Sequence, residues 1–188
     1  MYTNLWYVAA RSSDLKDQPL YVKMLGSDFV LFRDKAGNPA CLSNVCPHRG
    51  SSLSDGSCSE EGMIVCPFHG WQYDNKGRCR KIPSIGSDDS EKVTPEAKID
   101  HYPAVDKHGL IWTFLGDQPE QAVPIFDIPE LDDPSYTYVE YDVVFESNFH
   151  LAKFSNLDYV PLPIVHGIKL ALGNSPNYHF NMTRWVET

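Results

Sequence analysis

The sequence predicts a β-rich chain in three parts: an all-β sandwich or barrel over residues 1–116, a Pro-rich linker over 117–135, and the start of an α+β domain (helix on antiparallel sheet) over 136–188. Three observations carry this. Short apolar runs alternate with turn signals through the first part, and no stretch before Phe145 shows a sustained helical period. Pro119, Pro124, Pro129 and Pro134 fall between Gly116 and Ser135 among several acids, a composition of extended, irregular backbone. Beyond them the period changes, first to the two of a strand and then to the three-to-four of a helix.

In chain order, Leu5 to Ala9, Leu20 to Leu25, Phe29 to Phe32 and Pro39 to Ser43 read as strands. Asp34-Lys35-Ala36-Gly37-Asn38 is a turn between two of them, and Asp74-Asn75-Lys76-Gly77 is another. Leu110 to Leu115 is the last strand of the first part. Many short strands at close spacing mean two packed sheets or a barrel. After the linker, Tyr136 to Phe145 alternates as a strand does. Ser147 to Val160 reads as a helix, with Phe149, Ala152, Asn156 and Tyr159 on one stripe and Leu151, Phe154 and Asp158 on another. Pro161 and Pro163 end it. The tail from Asn177 starts a further strand, with Tyr178, Phe180 and Met182 on one face.

The 188 residues fit one large or two small domains, and 42% hydrophobic with 12% aromatic content can bury a sizeable core. A net charge of −9 disfavours nucleic acid and anionic membrane surfaces and suits a partner with a basic docking face. No apolar run approaches the roughly 18 residues of a membrane span. The N-terminal residues lack the basic start and apolar core of a signal peptide, so a cytoplasmic address is expected. Five cysteines make no disulfide framework.

The chemistry concentrates in Cys46-Pro47-His48-Arg49-Gly50 and Cys66-Pro67-Phe68-His69-Gly70-Trp71. Two thiols and two imidazoles form one soft-ligand set. A tetrahedral Cys2His2 zinc site is one reading. Zinc fingers, however, group their two Cys together and their two His together. One Cys and one His on each loop suits a [2Fe-2S] diamond, in which one iron takes both thiolates and the other both imidazoles. These residues resemble the Rieske iron–sulfur motif. The resemblance implies Cys46 and Cys66 on the buried iron and His48 and His69 on the outer, exposed one. It also implies the oxygenase or ferredoxin branch. The positions that carry a disulfide in respiratory Rieske proteins are Ser51 and Phe68 here. Loop support then falls to Pro47, Pro67 and Trp71, with Trp71 and Tyr73 read as packing aromatics beneath the cluster rather than as an electron path. Arg49 is either a tuning and docking cation or an ordinary surface charge. Cys41, Cys58 and Cys79 are left as reduced, small side chains.

The two-part plan is similar to the oxygenase component of Rieske non-haem iron oxygenases. That resemblance implies a reductase or ferredoxin as electron donor, a small organic substrate hydroxylated or demethylated with O2, and a homotrimer. In the family's Asp-x-x-His-x4-His pattern, Asp158 takes the electron-bridging position and His166 that of the second ligand of a mononuclear Fe(II). The first ligand position holds Pro161, and the family's carboxylate ligand falls well beyond residue 188. The mononuclear iron is therefore expected only if other ligands complete its site, with His150 and His179 as candidates. Three readings stand: the front part of an oxygenase, a Rieske electron-transfer protein that has lost the second iron, or a site with recruited ligands. Alone, His150 and His179 read as ordinary face residues.

Overall fold

The computed structural model describes residues 4–85, 97–131, 133–138, 146–148 and 151. Two compact units divide the chain, Met1–Tyr136 and Thr137–Thr188. The first contains eleven strands among its described residues: β1 (Leu5–Arg11), β2 (Leu20–Met24), β3 (Ser27–Arg33), β4 (Pro39–Ser43), β5 (Ser57–Cys58), β6 (Ile64–Val65), β7 (Gln72–Tyr73), β8 (Cys79–Lys81), β9 (His101–Tyr102), β10 (Ala104–Lys107) and β11 (Leu110–Leu115). They form three antiparallel sheets, ordered β1-β11-β10, β2-β3-β4-β9 and β5-β6-β7-β8.

The middle sheet explains the apolar runs. In β3, Phe29 and Leu31 face one core with Ala9, Ala10, Val22, Ile111 and Leu115 from the first two sheets. Val30 and Phe32 face a second core with Leu53, Ile64, Tyr73 and Ile99. β4 does the same, with Cys41 in the first core and Ala40 and Leu42 in the second. A strand covered on both sides has no polar face to alternate with, so its sequence reads as an unbroken apolar stretch. The fold is thus a sandwich with a third, smaller sheet laid against its far side.

The predicted second strand ends one residue early, at Met24. Leu25 and Gly26 both have positive φ, 51° and 78°, the pairing a two-residue hairpin turn requires. His108 and Gly109, at 57° and 74°, make the equivalent turn between β10 and β11. Both predicted acidic turns form, and by one device. Asp34 Oδ1 accepts hydrogen bonds from the backbone N–H of Ala36 and Asn38, and Asp74 Oδ1 from those of Lys76 and Arg78. The two turns also meet. Asn75 Nδ2 donates to Asp34 Oδ2 at 2.9 Å, fastening the small sheet to the middle one.

The Pro-rich segment is tied down rather than free. Asn4 Oδ1 accepts from the backbone N–H of Asp117 and Gln118. Lys107 Nζ donates to Ile125 O and pairs with Asp127, while Phe126 meets Trp112 edge-on. Among the described residues it holds two 3-10 turns, Pro119–Gln121 and Pro129–Leu131, and a turn closed by the Tyr136 N–H donating to Asp133 O at 3.0 Å. In the second unit, Asn148 Oδ1 accepts from the backbone N–H of Leu151, which is helical. This is an N-cap at the predicted helix start. The described residues at the head of the predicted strand, Thr137 and Tyr138, are irregular. The remainder of that strand, the rest of the helix and the tail lie outside the described residues.

Candidate metal centre

The two ligand loops are copies of one turn. Cys46–Ser51 follows β4 and is closed by the bridge between Val45 and Ser52. Cys66–Trp71 tips the β6–β7 hairpin. In each, the cysteine N–H donates to the carbonyl five residues on, Cys46 to Ser51 and Cys66 to Trp71, both at 2.8 Å. The glycine N–H then donates back to the cysteine carbonyl, Gly50 at 2.8 Å and Gly70 at 3.0 Å. Gly50 and Gly70 take φ of 72° and 70°, values that cost an L side chain strain. Superposed by these bonds, Pro47 matches Pro67, His48 matches Phe68, and Arg49 matches His69. The histidine is offset by one residue between otherwise equal loops.

Burial divides the four ligand candidates. Cys46 and Cys66 are 1% and 3% exposed and belong to the second core, whereas His48 and His69 are exposed at the tips. Burial pushes the Cys46 thiol up, and the neighbouring Cys66 adds to that. Two thiolates side by side in an apolar core need a positive centre to hold them. The fully buried Tyr73 places its hydroxyl 3.3 Å from Cys46 Sγ. Its own ionisation is pushed up by burial and by that contact, so it stays a phenol able to donate to a thiolate. Desolvation, then the charges of His69 and Arg49, lower the His48 pKa and keep its ring neutral, the form that binds metal. The two imidazole centroids lie 4.7 Å apart.

This donor set fits a [2Fe-2S] cluster. Two thiols lie inside and two imidazoles outside, so one pair would serve each iron. Among the described residues, no group of three or more His, Cys, Asp or Glu side chains is placed so as to hold one metal ion. All five cysteines are unpaired, and Ser51 and Phe68 hold no sulfur.

Several supports were not legible in the sequence. Asn44, 5% exposed, donates through Nδ2 to Ser52 Oγ and Ser54 Oγ and accepts from the Ser54 N–H. It braces the first loop where the second has the β6–β7 ladder. Pro83 lies against Gly70, and a Cβ there would sit 3.1 Å from Pro83 Cγ. An Asn at the end of an apolar strand, followed by two serines, is the only hint of the first brace. Trp71 is half-buried, packs against the core that holds both cysteines and also stacks on His48, while Tyr73 is fully buried in that core. Arg49 is exposed next to His48. Asp158, Pro161, His166, His150 and His179 lie outside the described residues.

Comparison with known proteins agrees with this geometry. Residues 5–103 match the Rieske [2Fe-2S] domain. The chlorophyllide a oxygenase of Oryza sativa subsp. japonica is 34% identical over 168 residues, covering 89% of this chain and 26% of its own length. The 4beta-methylsterol monooxygenase of Methylococcus capsulatus is 35% identical, covering 80% of this chain and 41% of its own. The crystal structure of dicamba monooxygenase with non-heme iron and dicamba superposes with a TM-score of 0.61 at 35% identity, over 70% of this chain and 39% of that one. The chain therefore spans between a quarter and a half of the length of these relatives. With the matched domain running through more than half of its residues, and with oxygenases of this type as its relatives, the chain belongs to the Rieske [2Fe-2S] family.

Proposed function

We propose that the chain takes single electrons from a reductase or ferredoxin and hands them to an oxygenating non-haem iron, in an enzyme that hydroxylates or demethylates a small organic substrate. The observation that carries this is the division of the ligand set, thiols buried and imidazoles exposed. The cluster, when bound, supplies a one-electron couple. Cys46 and Cys66 hold its inner side in the core, and Tyr73 donates to a thiolate from below. His48 and His69 hold its outer side where a partner can approach. Relatives that are oxygenases support the choice of reaction. In this reading Asp158 bridges to a neighbouring cluster in a homotrimer, His166 is an iron ligand, and the protein works in the cytoplasm. No helix among the described residues is long and apolar enough to cross a membrane.

One residue favours a second reading, a Rieske electron carrier without an oxygenating iron. Pro161 stands at the position of that iron's first ligand and has no side chain to bind metal. Electron paramagnetic resonance of the reduced protein decides the shared premise. A Rieske signal of low average g is expected, whereas a four-thiolate ferredoxin signal, or stoichiometric zinc, would sink both readings. Iron analysis separates them: two irons per chain for the carrier, three for a completed oxygenase site.

A further inference from the structure

The two imidazoles are not held alike. The His48 ring stacks on the indole of Trp71 with centroids 4.4 Å apart and planes 6° from parallel. His69 has no stacked partner of this kind among the described residues. Its ring contacts are tilted, 41° to Phe68 of its own loop and 58° to His48. Trp71 closes the second loop and His48 belongs to the first, so the stack joins two loops that no disulfide links. The joint is anchored at its base. The Trp71 carbonyl accepts from the buried Cys66 N–H, and its indole packs on the core that holds both cysteines.

We propose that Trp71 is a positioning residue for one ligand of the outer iron: its indole fixes the plane of the His48 imidazole, leaving His69 the freer of the two. The inference rests on the cluster assignment. A parallel aromatic partner restricts rotation about the Cβ–Cγ bond of His48, which in an exposed loop is otherwise opposed by little. His48 then meets the iron pre-oriented, as a ligand ring fixed by a second group generally does. The one-residue offset of the histidines makes this possible. Position for position, the second loop presents Phe68 where the first presents His48, so the Trp71 plane serves only the first loop's imidazole.

The test compares Trp71→Leu, Trp71→Phe and Phe68→Leu in the cluster-loaded protein. Pulsed electron paramagnetic resonance of the reduced wild type should resolve two nitrogen couplings, one from each imidazole. Trp71→Leu should shift or broaden one of them, and Phe68→Leu should perturb only the other. Iron release to a chelator should be roughly two- to tenfold faster in Trp71→Leu, the range that aromatic pairing of this kind carries. Trp71→Phe keeps a stacking ring and should restore most of both properties. It carries the same test, with a smaller shift, if the leucine variant does not take up iron. Unchanged couplings and unchanged iron release in Trp71→Leu would overturn the proposal, as would both variants moving the same coupling. A wild-type protein without a Rieske signal would instead refute the cluster assignment itself.

Discussion

The two ligand loops share a backbone and differ in what supports it. Each closes the same pair of hydrogen bonds around a glycine of positive φ. The first is braced by side chains, through Asn44, Ser52 and Ser54. The second is braced by main chain and packing, through the β6–β7 ladder and Pro83. Tyr73 reaches Cys46, and Trp71 reaches His48, so the second loop and the strand after it also support the first. A turn of six residues can thus be repeated within one domain while its surroundings assign each copy a different part.

The largest effect should treat the loops as equals. Cys46→Ala and Cys66→Ala should each abolish the cluster and lower domain stability, since loops organised by metal lose their order with it. Iron and sulfide analysis with thermal unfolding checks this. A variant retaining half its iron would show the inner ligands to be unequal. Cys41→Ala, on the other face of the middle sheet, should keep full cluster content.

Asn44→Ala should separate the loops. It removes the hydrogen bonds that Asn44 makes to the half-buried Ser52 and Ser54, at roughly 0.5–1.5 kcal/mol for each bond. The damage should be confined to the first loop. Hydrogen exchange should rise at the Gly50 N–H and stay unchanged at the Gly70 N–H.

The glycines sharpen the contrast from the opposite side. Alanine at either position carries the left-handed penalty, roughly 1–2 kcal/mol. Around Gly50 the space is open, while at Gly70 the new methyl meets Pro83. Denaturant unfolding should therefore rank Gly70→Ala below Gly50→Ala, and equal loss would remove Pro83 as a support.

Tyr73→Phe should leave both loops folded and lower the reduction potential by roughly 20–65 mV, one hydrogen bond's worth for a one-electron couple. The sign follows from charge: a donor to a thiolate favours the more negative, reduced state. Voltammetry showing no shift would mean that the 3.3 Å contact tunes nothing.

The smallest effect at neutral pH concerns Cys41. Burial pushes its thiol up to about 12, a shift the neighbouring Thr113 side chain offsets only in part. Unfolded, the same thiol ionises in its ordinary range, so the unfolded state releases its proton first. The stability linked to Cys41 is complete below that range and is lost as pH rises toward 12, by up to ~1.4 kcal/mol per pH unit. Cys41→Ala should flatten that alkaline slope in unfolding measurements and change nothing in the slope below it.

The sequence by itself put forward the candidate ligand set, the two acidic turns and the β class of the first unit. These are local matters: the loop bonds span five residues, the Asp34 and Asp74 turns four, and a strand's apolar run is continuous. Short β-strands such as Ser57–Cys58 and Gln72–Tyr73 escaped, because two residues hold no period. Tertiary structure alone decided that β3 and β4 face two cores, that Asn44 braces one loop, and that Tyr73 and Trp71 serve Cys46 and His48. Those pairs lie 8 to 27 residues apart and meet only once sheet register has placed them. Register is set by how whole faces bury, a property that no single stretch of the chain carries.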